Sequence, residues 1–397
     1  MSGWWGGRWE ESVLANWADA LRRRLRGPVS LGLLFVTPAW SERTRGLLEI
    51  LQLHARIPVL VGCTTSAGIS EDQEYEGRGG FVLGLYCLPG ARLQAVSVTQ
   101  ADVEAVQDPA EWPGRLRLED PNPQGWLAFV DPLTMDVDSW LKSWNRAFSG
   151  LPVIGALAGA DFRHHATQLF LNQSVLTEGG VLVSVGGQVE LAGLVAQGCT
   201  PIGETWTLTR VEQNLIHQIG NQPAYEVLLA TVQNLPLSEQ QRLSGNLFIG
   251  LAADEYREEF RRGDFLVRNL LGVDPHTGIL AVGALPRAGQ TVQFQCRDAE
   301  AADAELRHQL RQLKQRLDRR MLYGSLLCVC NGRGRNLFGV SDHDARLVQS
   351  ELGPVGLCGL FCNGEIGPVG RSNHIHGYTA TLGVFTGSAE MDSFAAR

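Results

Sequence analysis

The sequence predicts a mixed α/β fold with mixed sheets and repeated strand-helix-strand units, arranged as two modules packed into one body. Two observations support this prediction. Three stretches of the chain share one layout, and further apolar segments have the pattern of antiparallel strands. Apolar runs of four to eight residues that alternate with short amphipathic segments are typical of strands connected by helices.

The shared layout is a buried strand, a turn, a short helix, and a second strand that begins with Pro-Val and ends in a glycine-rich loop. It occurs in LGLLFVTPAW to IPVLVGCTTSAG, in GWLAFVDPLT to LPVIGALAGAD, and in SLLCVCNGRG to GPVGLCGLFCNGEIG. Such crossovers are right-handed and place the two strands in parallel. NLFIGLAADEYREEF to GDFLVRNLLGVDP is predicted to be a degenerate fourth copy.

Two other segments predict antiparallel hairpins, so the sheets are expected to be mixed. They are GGFVLGLYCL to ARLQAVSVTQ, and GGVLVSVGGQVELAGLVAQ, whose VGGQ turn is a hairpin signal. A long helix is predicted over 299–321. One face of it carries a stripe that suits packing against a sheet, namely Leu306, Leu310, Leu313 and Leu317.

Composition and charge exclude several classes of function. The 397 residues are 44% hydrophobic and include 46 glycines, which is typical of a globular protein with many tight turns. The net charge of -8 argues against a nucleic-acid partner, because phosphates attract a basic face. No apolar run is long enough for a membrane span, and the start MSGWWGGRWEES lacks a secretory signal. Eight cysteines without a CxxC pair predict buried, reduced thiols and a cytoplasmic location.

The three Pro-Val strands also predict where a ligand would bind. Ligands collect beyond the carboxyl ends of parallel strands, where glycines let backbone amides approach them. The layout brings segments 63–65, 160–161 and 363–365 to comparable ends of comparable units. We therefore expect these segments to form the walls of one cleft.

Several motifs together resemble the FIST family, named for F-box and intracellular signal transduction proteins. They are VGCTTSAGI, GALAGADF followed by TQLFLN, GCTPIGETWTLTR leading into NLIHQIGNQPAYEVL, CNGRG, and FCNGEIGP. Each is weak alone, but their order along the chain is specific. The resemblance implies an N-terminal module over 29–213 and a C-terminal module over 214–380. Residues 1–28 are then an N-terminal extension, and residues 381–397 a C-terminal tail.

The resemblance also implies a bacterial sensory module that binds a small ligand, with amino acids or related metabolites as the class. Some family members are reported to bind haem and to sense nitric oxide, so a haem-binding gas sensor is the alternative. Family modules are often fused to output domains. Since this chain leaves few residues outside the two modules, we expect a stand-alone protein that acts through a separate signalling protein.

Two of the predicted loops supply the first candidate residues. Cys63 is interpreted as a nucleophile, as a ligand-lining residue or as a buried small hydrophobe. The hydroxyls of Thr64 and Thr65 would hydrogen-bond a ligand or cap the turn. Asp161 would hold a ligand ammonium or serve as a turn aspartate, while the planar fork of Arg163 suits a carboxylate or phosphate.

The third loop supplies the most informative carboxylate. Arg333 is interpreted as an anion site or as a solvated loop arginine. Glu365 ends an apolar strand, so it must be paired, hydrogen-bonded or solvated. Its interpretations are an ion pair with Arg333 or Arg371, a ligand contact, or a general acid or base. Asn363 beside it offers both a donor and an acceptor.

The HxH of His374 and His376 gives one further alternative. Together with Glu365 it would make a two-His, one-carboxylate metal site, although one HxH is weak support. A haem would need one axial residue; the candidate histidines are 164, 165, 217, 374 and 376. We expect binding rather than catalysis, with a hydrolase or transferase that uses Cys63 or Glu365 as a further hypothesis.

Overall fold

The computed structural model describes residues 1–159, 167–243, 245–257, 259–260 and 262–387. The chain forms two compact units. Unit 1 comprises Met1–Val195 and Arg307–Arg397, and unit 2 comprises Ala196–Leu306. Unit 1 is therefore discontinuous in sequence, with unit 2 inserted between its two segments.

The described residues of the first segment of unit 1 form thirteen strands and five α-helices. The strands are β1 (Ser2–Trp5), β2 (Leu31–Val36), β3 (Leu60–Thr64), β4 (Ala67–Ser70), β5 (Gln73–Glu74), β6 (Phe81–Tyr86), β7 (Ala91–Val98), β8 (Gly125–Val130), β9 (Val153–Leu157), β10 (Leu169–Leu171), β11 (Ser174–Leu176), β12 (Gly180–Gly187) and β13 (Val189–Ala196). The helices are α1 (Glu11–Arg24), α2 (Thr44–His54), α3 (Gln100–Ala105), α4 (Trp112–Arg115) and α5 (Val137–Ala147).

The rest of the chain supplies unit 2 and the second segment of unit 1. The strands of unit 2 are β14 (Cys199–Glu212), β15 (Leu215–Ile219), β16 (Gln222–Pro223), β17 (Leu247–Ala252), β18 (Phe265–Asp274), β19 (Ile279–Val282) and β20 (Thr291–Arg297). Its helices are α6 (Ala224–Gln233) and α7 (Leu237–Arg242), and α8 (Ala299–Arg316) leads out of it. The elements that follow are β21 (Leu322–Cys330), α9 (Arg335–Phe338), α10 (His343–Leu352), β22 (Leu357–Cys362), β23 (Glu365–Val369), β24 (Ser372–His376) and β25 (Ala380–Gly387).

In the part of unit 1 that the structure describes there are three six-stranded mixed sheets, and each has one of the predicted strand-helix-strand units at its centre. The orders are β1-β6-β2-β3-β10-β11, β7-β12-β8-β9-β23-β24, and β13-β25-β21-β22-β4-β5. The central pairs β2–β3, β8–β9 and β21–β22 are parallel. The predicted mixed α/β fold and its three parallel units are thus confirmed.

The three sheets exchange strands in a cycle. After β3 the chain leaves the first sheet, and β4 pairs with β22 of the third. After β22 the chain leaves the third sheet, and β23 pairs with β9 of the second. The strand that follows β9, which is β10, pairs with β3 of the first sheet. Each second strand is therefore followed by a crossing into the next sheet, at the carboxyl end of a parallel pair.

One core joins the three sheets. Its members include Phe35 from β2, Phe129 from β8 and Cys328 from β21, all fully buried. The helices cover the outer faces with apolar stripes; α5, for example, is capped by Asp136 and buries Trp140 and Trp144. Burial on both faces explains why the central strands read as continuous apolar runs rather than as alternating ones.

Both predicted hairpins are wrong, and so is the predicted fourth copy. Strand β6 belongs to the first sheet and β7 to the second, while β12 belongs to the second and β13 to the third. The chain therefore changes sheets at each turn, although the turns have the local sequence of a hairpin. The proposed fourth copy, β17 and β18, is an antiparallel pair with no parallel crossover.

Unit 2 is a seven-stranded sheet in the order β14-β20-β17-β18-β19-β15-β16. An additional pairing of β14 with β15 closes the sheet into a barrel. The long strand β14 has register shifts on both of its neighbours, which is typical of the bulges that let a strand turn a barrel corner. Its core contains apolar side chains of α6, such as Val227 and Leu228.

The leucine stripe of the predicted long helix is buried, with Leu306, Leu310 and Leu313 fully inaccessible. The helix itself ends at Arg316.

The predicted boundary between residues 213 and 214 lies inside unit 2. The predicted modules 29–213 and 214–380 therefore do not coincide with the two compact units, and they stay a prediction. Residues 1–28 contribute β1 to a sheet, and 381–387 belong to β25. None of the described helices combines the length and the apolar character needed to cross a membrane.

Candidate functional site

The crossings between the three sheets meet in a group of hydrogen-bonded residues, which we call the polar ring: Ser66, Gly159, Asn331 and Asn363. The Ser66 hydroxyl donates to Asn331 Oδ1. Asn331 Nδ2 donates to Asn363 Oδ1 at 2.7 Å, and Asn363 Nδ2 donates to the Gly159 oxygen at 3.3 Å. The Gly159 amide donates to the Thr64 oxygen at 3.1 Å, which closes the ring through the backbone.

The two asparagines come together because β21 and β22 are parallel and in register. Cys330 lies opposite Cys362, so the residue after each strand falls at the same level. Asn363 was predicted from the sequence, whereas Asn331 was missed. The repeated tripeptide Cys-Asn-Gly, at 330–332 and 362–364, was the signal that would have found it.

The side chains of the polar ring are partly exposed, unlike most polar groups nearby. Ser66, Asn331 and Asn363 are of intermediate burial. Each asparagine amide carries donor and acceptor groups, and each hydroxyl can do both. The ring is therefore a place where a polar ligand can exchange hydrogen bonds with the protein.

The predicted Thr64 and Thr65 lie at the ring but are buried, at 1% and 0% exposure. Thr64 Oγ1 accepts a hydrogen bond from the Gln168 amide at 3.1 Å. The Thr65 hydroxyl is 2.7 Å from the Phe361 oxygen and 2.8 Å from the Ala67 oxygen. These hydroxyls tie the first crossing to the neighbouring sheets.

Cys63 is fully buried in the core that joins the sheets, opposite Leu169 in the pairing of β3 with β10. Burial raises the pKa of its thiol far above the ordinary value. A nucleophilic thiol needs to ionise, so this environment opposes the nucleophile interpretation. The position suits the interpretation of Cys63 as a small buried hydrophobe.

Glu365 begins β23, directly after the polar ring, and its carboxylate is fully buried. One oxygen accepts hydrogen bonds from the Thr379 hydroxyl at 2.7 Å and the Thr379 amide at 3.1 Å. The other accepts from the Cys362 thiol at 3.3 Å. Burial raises the pKa of Glu365 to about 7, although the Thr379 hydrogen bonds oppose the shift. The side chain therefore titrates near neutral pH.

This pKa predicts a pH-dependent contribution to stability. A carboxyl whose pKa is higher in the folded protein than in the unfolded chain favours folding when protonated. Its contribution is fully present below about pH 4.5 and is lost as the pH rises through about 7. We expect the stability of Glu365→Gln relative to wild type to increase by about 2 kcal/mol between about pH 5 and pH 7.

Urea denaturation at each pH measures this difference. Glu74 titrates in both proteins, so its effect cancels. Glu119→Gln, which changes an exposed carboxylate in unit 1, is the control and should give a difference that does not vary with pH. A pH-independent difference for Glu365→Gln would show that the buried carboxyl does not titrate in this range.

Arg333 is fully buried and is not a solvated loop arginine. It forms a bidentate ion pair with Asp344: Nε donates to Oδ2 at 2.7 Å and Nη2 to Oδ1 at 2.9 Å. Its guanidinium also lies 5.3 Å from the centre of the Phe338 ring. Burial opposes ionisation of Asp344, but the Arg333 charge outweighs it and lowers the pKa of Asp344 to about 2.

The histidines of the predicted HxH lie on β24, next to β23. His374 is partly buried, and His376 is 3% exposed with Nε2 at 3.1 Å from the Gly367 oxygen. Their ring centres are 6.3 Å apart. Within the described ranges, no group of three or more His, Cys, Asp or Glu side chains has the geometry of a metal site. The predicted Asp161 and Arg163 lie outside the described residues.

A bound haem would need an axial ligand and an apolar slot among the described residues. Three cavities, of about 150, 440 and 290 Å³, have no histidine among their lining residues. Cys296 lines the first, which is in unit 2 and is too small for a haem. The described residues of these cavities therefore do not fit a haem. His164 and His165 lie outside the described residues, so the haem alternative stays a prediction.

Comparison with known proteins identifies the family. The FIST N domain matches residues 30–222, and the FIST C domain matches residues 224–368. The uncharacterized protein Mb0898c of Mycobacterium bovis is 34% identical over 374 residues, which cover 94% of this chain and 95% of that protein. The uncharacterized protein Rv0628c of Mycobacterium tuberculosis is 33% identical over 368 residues, covering 93% and 94%.

FIST domains are sensory signal-transduction domains that sense small ligands. The two domain matches follow each other along the chain and together span nearly all of it. The motifs that first indicated the family, from VGCTTSAGI to FCNGEIGP, lie within these matches. The chain therefore belongs to the FIST family.

Proposed function

We propose that this protein senses a small polar metabolite, an amino acid or a related acid, through the polar ring. The observation that supports this most is the meeting of three crossings at the carboxyl ends of three parallel pairs, where partly exposed amide and hydroxyl groups lie together. This is the place in α/β sheets where ligands bind.

The chemistry of the polar ring suits such a ligand. An amino acid carries a carboxylate that needs donors and an ammonium that needs acceptors, and Asn331 and Asn363 offer both. Asp161 and Arg163 follow Gly159 closely in sequence. In this proposal Asp161 accepts from the ligand's ammonium, and Arg163 binds its carboxylate.

The other predicted residues have structural roles in this proposal. Thr64, Thr65 and Glu365 hold the backbone around the polar ring through the hydrogen bonds described above. Arg333, which is two residues after Asn331, supports the third crossing through its ion pair with Asp344. His374 is placed at the outer strand of the second sheet, beside β23. Cys63 contributes packing, so the proposal is binding rather than catalysis.

We propose that the ligand-bound state is relayed to a separate signalling protein and that the protein works in the cytoplasm. The support for the second point is thiol chemistry: the eight cysteines include no CxxC pair, and six of them are buried. Reduced thiols of this kind are usual where glutathione keeps cysteines from pairing.

The proposal predicts a ligand-dependent increase in thermal stability. We expect at least one compound in a panel of amino acids and organic acids to raise the melting temperature of the full chain. A ligand at 100 times its Kd adds about 2.7 kcal/mol, which a thermal-shift measurement detects. Calorimetry on Asn363→Ala should then show roughly tenfold weaker binding, because two hydrogen-bonding groups are lost.

Asn122→Ala is the matched control, because it removes an exposed amide far along the chain from the polar ring. It should bind the ligand as the wild type does. If Asn363→Ala folds and binds the ligand with unchanged affinity, the polar ring is not the site.

A further inference from the structure

The third of the cavities described above lies in unit 1, between β5 and the segment that precedes α10. Its volume is about 290 Å³, near the lower limit for small-molecule sites. Charged and polar side chains line it, including Glu74, Glu76, Arg335, Ser341 and Asp342. The polar ring contributes none of its lining residues, so the two sites are distinct.

Most of these lining groups already have partners within the protein. The Glu76 carboxylate accepts from the Arg335 amide at 3.1 Å. Arg335 Nε donates to the Ser341 hydroxyl at 2.6 Å. One Asp342 oxygen accepts from the Glu74 amide at 2.8 Å, and the other accepts from Arg346 Nη2 at 3.0 Å. These bonds fix the walls of the cavity.

Glu74 differs from them in having one carboxylate oxygen without a partner. The residue is 8% exposed. Its Oε1 accepts from the Ala345 amide in the first turn of α10, at 3.0 Å. Its Oε2 is buried and has no hydrogen-bond partner in the structure. A buried carboxylate oxygen left unpaired is costly. Because Glu74 lines the cavity, a small rotation of its side chain would present this oxygen to a donor bound there.

The charges that act on Glu74 are negative. Burial has the largest effect on its pKa, followed by the carboxylates of Asp344, Glu76 and Asp342, and together they raise the pKa to about 7. Asp344 is paired with Arg333. Arg335 and Arg78 also line the cavity, but Arg335 Nε is bonded to Ser341 and the Arg78 guanidinium lies 5.9 Å from the centre of the Tyr75 ring. A cation is therefore the ligand that this group of carboxylates favours.

We propose that this cavity binds a small primary ammonium compound, with Glu74 Oε2 accepting a hydrogen bond from the ammonium. A charged hydrogen bond to a desolvated carboxylate is the strongest contact that the cavity offers. The ammonium group would donate a hydrogen bond to the unpaired oxygen, and its positive charge would offset the charge of the neighbouring carboxylates. This binding site is additional to the one proposed at the polar ring, and the two proposals are independent.

The proposal implies that binding strengthens as the pH rises. Glu74 must be ionised to pair with an ammonium, and alkylammonium groups keep their charge up to about pH 10. With a pKa of about 7, about one tenth of Glu74 is ionised near pH 6 and about nine tenths near pH 8. Affinity should therefore be roughly tenfold higher at the higher pH.

Saturation-transfer NMR on the full chain with ethylammonium chloride tests the site. We expect ethylammonium to bind near pH 8, roughly tenfold more weakly near pH 6, and at least about tenfold more weakly to Glu74→Gln. Tetramethylammonium has the same charge but no N–H donor, so it should bind much more weakly. Glu119→Gln should bind ethylammonium as the wild type does, because this exposed carboxylate lies outside the cavity.

Three results would overturn the proposal: no ethylammonium binding by the wild type, equal binding of tetramethylammonium, or unchanged binding by folded Glu74→Gln. Circular dichroism establishes whether that variant is folded. If it is not, the pH dependence and the comparison of the two cations on the wild type decide the question. Binding that is equal at both pH values would then exclude Glu74 as the acceptor.

Discussion

Asp344→Ala is expected to lower the free energy of unfolding by about 3 to 5 kcal/mol. The substitution leaves the Arg333 guanidinium charged in a fully buried position, without the carboxylate that binds it through two hydrogen bonds. A buried charge that loses its partner pays the cost of desolvation with no compensating attraction. Urea denaturation followed by circular dichroism measures the loss.

Two controls separate the buried pair from ordinary surface electrostatics. Asp19→Ala removes a carboxylate that pairs with Arg22 and Arg23 on the surface of α1, and it should destabilise the protein far less than Asp344→Ala does. The double variant Arg333→Met with Asp344→Leu should recover much of the lost stability, since no unpaired charge remains. A double variant as unstable as Asp344→Ala would mean that packing, rather than charge, explains the loss.

The same pair predicts acid sensitivity. The pKa of Asp344 is lower in the folded protein than its ordinary value of 3.8, so its contribution is present above about pH 4. The contribution is lost as the pH falls through about 2. This direction is opposite to that of Glu365, whose pKa is raised, so the two carboxyls can be distinguished by the pH range in which each acts.

Gly155→Ala is expected to destabilise unit 1 by about 3 kcal/mol or more. Gly155 pairs with Ala128 in the parallel pair β8–β9, and a Cβ at position 155 would overlap the Ala128 backbone oxygen. No side-chain rotation relieves an overlap with backbone, so the strands must separate. Thermal unfolding of the purified variant measures the effect.

The matched control is Gly272→Ala, which changes a strand glycine with open space around the position of its Cβ. It should change stability by no more than about 0.5 kcal/mol. The corresponding glycines of the other two strand-helix-strand repeats are Gly62 and Gly359. A Cβ at these positions would overlap the backbone oxygens of Leu34 and Leu327, respectively. Substitution of either should resemble Gly155→Ala; a Gly155→Ala variant as stable as wild type would contradict this account.

These glycines show how well the repeated units could be predicted. Each is the third residue of the second strand in its unit, and each marks a close approach to the paired strand. Local apolar patterning was sufficient to identify the three strand-helix-strand units. The glycine loops that follow them were sufficient to predict that Asn363 and the residues after Cys63 lie near one another.

Other parts of the site required the structure. The sequence suggested Arg333 as an anion site or a solvated arginine, and only the fold brings Asp344 to its guanidinium. Asn331 was not predicted because Arg333, two residues later in the same CNGRG motif, was the residue interpreted as a binding residue. The Glu74 cavity was not predicted, since its walls come from segments that are far apart in the chain.

The sequence by itself determined the α/β class, the three parallel strand pairs and the family. These features depend on local patterns, because strand and helix periodicity and glycine loops are properties of neighbouring residues. Only the tertiary structure decided which strands pair across the three sheets, where the two false hairpins change sheets, and which buried charges meet. Those choices depend on contacts between distant residues, and the same turn sequence is compatible with either strand partner.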